Sequence, residues 1–188
     1  MELYIDDFLR PGKCLKTYPE LAQIFQHPHC HWYAPRPGNT NVYWLQDSVH
    51  RLMRRAYPKT PSIVLYNIPN RDNGHYSSGG AGSDEEYLKW IRAFAAGIMP
   101  HNNPIIIFEP DALPLAVGEW DKSPSDQLLR RVALFNQALP ILQNGGCHLY
   151  VDIGHPRWLS PEKATEVLNM LDPTAFDGFS INVSNFIP

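Results

Sequence analysis

Short apolar runs rich in β-formers recur along this chain, and a segment of helical periodicity separates each from the next. That alternation limits the fold more than any other feature. The runs are His31–Tyr33, Ile63–Tyr66, Ile105–Phe108, His148–Val151 and Gly178–Ile181. The middle ones are continuous rather than alternating, the pattern of parallel strands covered on both faces. The first helical segment, around Asn41–Ala56, stripes Leu45, Val49, Leu52 and Ala56. The second opens at Ser83 with three acids in its first turn and carries Leu88, Ile91, Ala95 and Ile98. The third opens Ser123-Pro124-Ser125-Asp126, read as N-cap Ser123, Pro124 at the first helical position and an acid at N3. Its stripe is Leu128, Val132, Phe135, Leu139 and Leu142. The fourth repeats the device at Ser160-Pro161-Glu162, with Ala164, Val167, Leu168 and Leu171.

The order β-α-β-α-β-α-β-α-β predicts an α/β fold of parallel strands joined by right-handed crossovers. Two windings fit, a doubly wound sheet or a (β/α) barrel. A full barrel takes about 250 residues and eight strands, against 188 residues and five runs here. The expectation is one domain over residues 1–188, with the winding open between the two. Its 18 prolines are nearly twice the usual share of about 5%, but they stand at element ends as stops and starts.

In either winding the loops after the strand C-termini form the active face. Here those loops are polar. Tyr66-Asn67-Ile68-Pro69-Asn70-Arg71-Asp72 and then Ser77-Ser78-Gly79-Gly80 follow the second run, and Glu109-Pro110-Asp111 follows the third. Asp152-Ile153-Gly154-His155 with Arg157 and Trp158 follows the fourth, and Asn182-Val183-Ser184-Asn185 ends the fifth. Three strand ends thus deliver carboxylates to one face. Converging carboxylates either bind a divalent metal or hold one another at different pKa values for acid and base work. Glycoside hydrolysis needs that split together with aromatic platforms for sugar rings, and Trp32 and Trp158 stand at strand ends. The plainer alternative is that Asp111 and Asp152 cap loops and Trp32 is core.

A net charge of −3 argues against a nucleic-acid partner. No apolar run approaches the roughly 20 residues of a membrane helix. The acidic start, MELYIDDFLR, lacks the basic lead and apolar stretch of a signal peptide. Cys14, Cys30 and Cys147 are too few for a disulfide scaffold, and Cys147 reads as a buried small hydrophobe. His27-Pro-His-Cys-His31 is a weak candidate for zinc or copper, the plainer reading being a polar lead into the first strand. Arg51, Arg54 and Arg55 read as a solvated ridge. The sequon Asn182-Val-Ser184 sits where a strand end makes a poor glycan acceptor.

Taken together, Val64-Leu-Tyr-Asn-Ile-Pro-Asn-Arg-Asp72, Ser77-Ser-Gly-Gly80, Phe108-Glu-Pro-Asp111, Tyr150-Val-Asp-Ile-Gly-His155 with Trp158, and Ile181-Asn-Val-Ser-Asn185 resemble glycoside hydrolase family 6, the cellulases that cut β-1,4-glucan with inversion. The Ser-Ser-Gly-Gly stretch is closer to the bacterial endoglucanases. The resemblance implies a general acid at Asp111, a supporting acid at Asp72, a ring-distorting tyrosine at Tyr66, a carboxylate-tuning Arg71, and Ser78 beside the catalytic water. It implies stacking platforms at Trp32 and Trp158 and cleft residues at Asp152, His155 and Asn182. It implies no cofactor, a β-1,4-glucan partner such as cellulose or cello-oligosaccharides, and secretion. Asn73 stands where the family has a disulfide cysteine. The family continues beyond the Asn-x-Ser-Asn strand with a further Asp, its debated base, so the resemblance implies an incomplete domain, an α/β partial or distorted TIM-like barrel of about five parallel strands with an exposed edge at the fifth. Two other functions stay open: a glucan-binding domain that lacks the base, and a metal-dependent hydrolase using Asp72, Asp111, Asp152 and His155.

Overall fold

The computed structural model describes residues 1–6, 16–35, 41–72, 76–100, 103–118, 123–185 and 187. Cys14 and Asn73 lie outside them. Five parallel strands are present: β1 (His31–Tyr33), β2 (Ser62–Leu65), β3 (Ile105–Phe108), β4 (His148–Asp152) and β5 (Gly178–Ser180). They pair in the order β1-β2-β3-β4-β5. A doubly wound sheet reverses its strand order at a switch point, whereas a barrel adds each strand beside the last. The strictly sequential order therefore selects the barrel winding. Among the described residues the sheet is not closed, since β1 pairs only with β2 and β5 only with β4.

The helices are α1 (Val42–Ala56), α2 (Asp84–Gly97), the short α3 (Ala112–Val117), α4 (Asp126–Asn144) and α5 (Pro161–Leu168). A 3₁₀ helix spans Pro19–Gln26. One face of the sheet meets the helix layer, and there Ile63, Leu65, Ile106, Phe108, Leu149 and Val151 are all buried. The opposite face carries the register row Trp32, Val64, Ile107, Tyr150 and Gly178. In that row Ile107 and Tyr150 are only partly buried. Continuous apolar runs predict full cover on both faces; the helix face has it, and the inner face does not. Phe179, on the helix face of β5, is the exception, at 58% exposed.

Two local readings are corrected. The N-cap of α4 is Ser125 rather than Ser123, so the helix starts two residues later than expected. Ser125 Oγ accepts from the Leu128 N–H at 3.1 Å and donates to the Ala116 carbonyl at 2.6 Å, which ties the start of α4 to the end of α3. Ser123 has no such anchor on α3 among the bonds of the described residues. Replacing Ser125 with Ala removes both bonds and should cost about 1–2 kcal/mol, read as a lower urea midpoint with unchanged slope. The second correction concerns the arginine ridge. Arg51 pairs with Asp47 at the surface, but Arg55 donates to the buried carboxylate of Asp6 at 3.1 Å, so it is an anchor for the N-terminal segment. Cys147 is buried as expected.

Candidate active site

The loop after β2 is built around Tyr66. Its ring meets Trp32 edge-on at 6.0 Å between centroids, and the Arg71 guanidinium lies 4.9 Å from its centre. Arg71 is fixed from below: Nη1 donates to the Tyr66 carbonyl at 2.7 Å and Nε to the Ser77 carbonyl at 2.8 Å. Its backbone also bridges to Gly79. The turn closes only with glycine at position 80, where φ is +93° and a Cβ would stand 1.9 Å from the Ile68 oxygen. Folding back in this way brings the Ser77 N–H to the Asp72 carboxylate at 2.7 Å. The Tyr66 hydroxyl is pushed up to about 12, by burial first and then by the charges of Asp72 and Asp111. It stays a hydrogen-bond donor.

Asp111 follows β3. It stands at the N-cap position of α3 but makes no side-chain cap bond, so the loop-capping reading does not describe it. Its backbone is left-handed, with φ 66°. The side chain is turned instead towards Asn185, whose Nδ2 donates to Oδ2 at 2.9 Å. Burial raises the Asp111 carboxyl above its ordinary range. Bonds from Ser184 and Asn185 offset part of that rise, while the charge of Asp72 adds to it. A buried acid beside another carboxylate holds its proton to higher pH than a solvated one.

For Asp152 the capping reading does describe the structure. It is 1% exposed, and Oδ1 accepts from the backbone N–H groups of Asp111 and Gly154, each at 2.9 Å. Oδ2 accepts from the Ser180 hydroxyl at 3.2 Å. Burial carries its carboxyl up to about 6. Asp152 thus holds the Asp111 loop from behind. Gly154 has φ +80° and leaves room for Trp158, which a Cβ would approach to 3.0 Å. Trp158 in turn packs on His155 at 5.2 Å.

These pieces enclose an open cleft of about 770 Å³, lined among others by Trp32, Tyr66, Asp72, Asp111, His155 and Trp158. The remaining candidates are elsewhere. Arg71 lies beneath Tyr66 and Asp152 behind Asp111. Asn182 spends its side-chain amide on both backbone groups of Ile187. Ser78 is exposed on the turn, while its neighbour Ser77 lines the cleft. Sequence reasoning assigned no role to Tyr76, Leu115, Arg157, Ser184 or Asn185, which also line it. Ser184 and Asn185 carried a usable signal, since they follow β5 as the acids follow β3 and β4. Among the described residues no group of three or more His, Cys, Asp and Glu side chains is arranged to hold a metal ion. Nor is any described helix long and apolar enough to cross a membrane.

Residues 12–188 match the family model of glycosyl hydrolases family 6. Endoglucanase A of Cellulomonas fimi is 38% identical over 131 residues, which is 70% of this chain and 27% of that protein. Endoglucanase 1 of Streptomyces halstedii is 37% identical over 132 residues, 69% of this chain and 40% of that one. Among solved structures, the endoglucanase Cel6 of Mycobacterium tuberculosis, in complex with methyl-cellobiosyl-4-deoxy-4-thio-β-D-cellobioside, superposes with a TM-score of 0.85 at 32% identity. All of this chain and 64% of that one are covered. The match thus spans less than half the length of the two curated relatives.

Proposed function

Because the chain belongs to glycosyl hydrolases family 6, we propose that it hydrolyses β-1,4-glucosidic bonds of cellulose and related β-glucans, in the interior of the chain, with inversion, and outside the cell. One observation carries this reading. A buried carboxylic acid with a raised pKa, Asp111, lines an open cleft together with Trp32 and Trp158.

The proposed chemistry follows from that placement. Trp32 and Trp158 hold sugar rings by stacking, and the rigid Tyr66 ring between Trp32 and Arg71 presses the sugar at the cleavage point out of its relaxed chair. Asp111 gives its proton to the glycosidic oxygen as the C1–O bond breaks. Its carboxyl is oriented for this by the bonds from Ser184 and Asn185. Water adds to C1 from the opposite face and releases its proton to the solvent of the open cleft, and attack from that face gives the inverted anomeric configuration. Asp72, held by the Ser77 N–H, keeps the proton on Asp111 through its own negative charge.

The test is cleavage of carboxymethylcellulose and cellohexaose. The expected result is release of reducing ends, a fall in viscosity that runs ahead of it, and α-anomeric product in proton NMR before mutarotation. Tryptophan fluorescence that responds to cellohexaose without any turnover would replace this reading with that of a glucan-binding domain. β-Anomeric product would overturn inversion alone.

A further inference from the structure

Glu109 has no part in the chemistry proposed above, yet it is wholly buried and polar groups converge on it. Its carboxylate accepts the Asn67 N–H at 2.9 Å, the Ile68 N–H at 3.0 Å and the Tyr87 hydroxyl at 2.9 Å. Every one of these is a donor aimed at an acceptor. Arg131, buried on α4, supplies the nearby positive charge and donates from Nη2 to the Asn70 carbonyl at 3.1 Å. One short loop is therefore gripped at both ends, through its N–H groups at 67 and 68 and through its carbonyl at 70. Tyr66 stands immediately before the grip, and Arg71 and Asp72 immediately after it.

The same carboxylate belongs to the loop of Asp111, two residues further on. Glu109 and Asp111 both have left-handed backbone, φ 49° and 66°, as do Asn70 and Asp72, φ 54° and 58°. Two strained loops from neighbouring strands are thus joined through one side chain. Three donors converging on one buried carboxylate, with the Arg131 guanidinium bonded to the same loop, fix one arrangement of that loop.

We infer that Glu109 and Arg131 are positioning residues that set the place of Asp72, Arg71 and Tyr66 relative to Asp111. The inference rests on the proposed function for its catalytic consequence, not for its geometry. Two variants of the full chain test it. Arg131→Lys keeps the charge but is too short to reach Asn70. If the loop relaxes and carries Asp72 away, Asp111 loses a like charge, and its titration midpoint in carboxyl NMR should fall by about half a pH unit. Glu109→Gln keeps the shape but puts an NH2 donor where one of the two accepting oxygens stood, so the loop N–H groups and the Tyr87 hydroxyl can no longer all be satisfied. Its kcat should fall at least about tenfold per folded molecule, with KM within about twofold. An unmoved Asp111 midpoint in Arg131→Lys, or a wild-type kcat in Glu109→Gln, overturns the inference. If Glu109→Gln does not fold, the titration in Arg131→Lys decides. If the wild-type chain cleaves nothing, the proposed function fails, and the titration still decides the positioning.

Discussion

Asp111→Asn should abolish most cleavage, by about 10²–10⁴-fold, while cello-oligosaccharide binding stays within a few-fold of wild type. The amide is isosteric and its oxygen can still accept from Asn185. What it lacks is a proton to give. The same group sets the pH profile. The acid must be protonated to work, so activity is present below its pKa and is lost as pH rises through it. Burial first, and the charge of Asp72 after it, hold that limb above the ordinary carboxylate range. Asp72→Asn removes a like charge, so the alkaline limb should move to lower pH. Equal activity of wild type and Asp111→Asn on cellohexaose would remove Asp111 from the mechanism. A limb that moves to higher pH in Asp72→Asn would reverse the electrostatic argument.

The second large effect concerns stability. Glu109 is raised to about 7 and Asp152 to about 6, each by burial before anything else. In the unfolded chain both titrate near the ordinary carboxylate values, about 4. Between about pH 4 and 7 the folded state therefore holds protons that the unfolded state has released. By linkage, stability falls as pH rises through that window and is recovered on acidification. Each group is worth on the order of 3 kcal/mol at most, from about 1.4 kcal/mol for every tenfold gain in proton affinity. His31 opposes them, because burial lowers its pKa and its protonation disfavours the folded state. The net expectation is a chain about 2–4 kcal/mol more stable at pH 5 than at pH 7.5. Urea midpoints at the two pH values measure it directly. A flat or falling midpoint on acidification would mean that these carboxyls are not desolvated as the structure has them.

The strands and the long helices were legible because periodicity and caps are local signals. Each of the five apolar runs became a strand, with no end displaced by more than one residue. The winding was not legible in that pattern. Strand order depends on which crossover packs where, and nothing local distinguishes a barrel from a doubly wound sheet. α3 was hidden because Ala112-Leu-Pro-Leu-Ala-Val117 is apolar throughout and shows no stripe. At the site, residue type and strand-end position found Trp32, Tyr66, Asp72, Asp111, His155 and Trp158. They did not say which way a side chain turns. Asp152 and Asn182 stand at strand ends like the others, yet their side chains serve the backbone. Glu109 sat in plain view between Phe108 and Asp111, but no local pattern reveals a carboxylate wrapped by three donors from two other elements.

Of the described residues other than glycine, six have positive φ. Five of them, Asn70, Asp72, Glu109, Asp111 and Asn182, stand at the ends of strands on the cleft side. For the backbone alone, glycine is the cheaper occupant of each place, by about 1 kcal/mol or more. At Asp72 and Asp111 glycine would also delete a carboxylate that lines the cleft, and at Glu109 and Asn182 it would leave the backbone groups they bond without a partner. A library of variants selected only for heat resistance should therefore enrich glycine at Asp72 and Asp111, whose side chains face the cleft, and return sturdier, silent proteins. Selection for turnover would have to be applied in the same round to keep them.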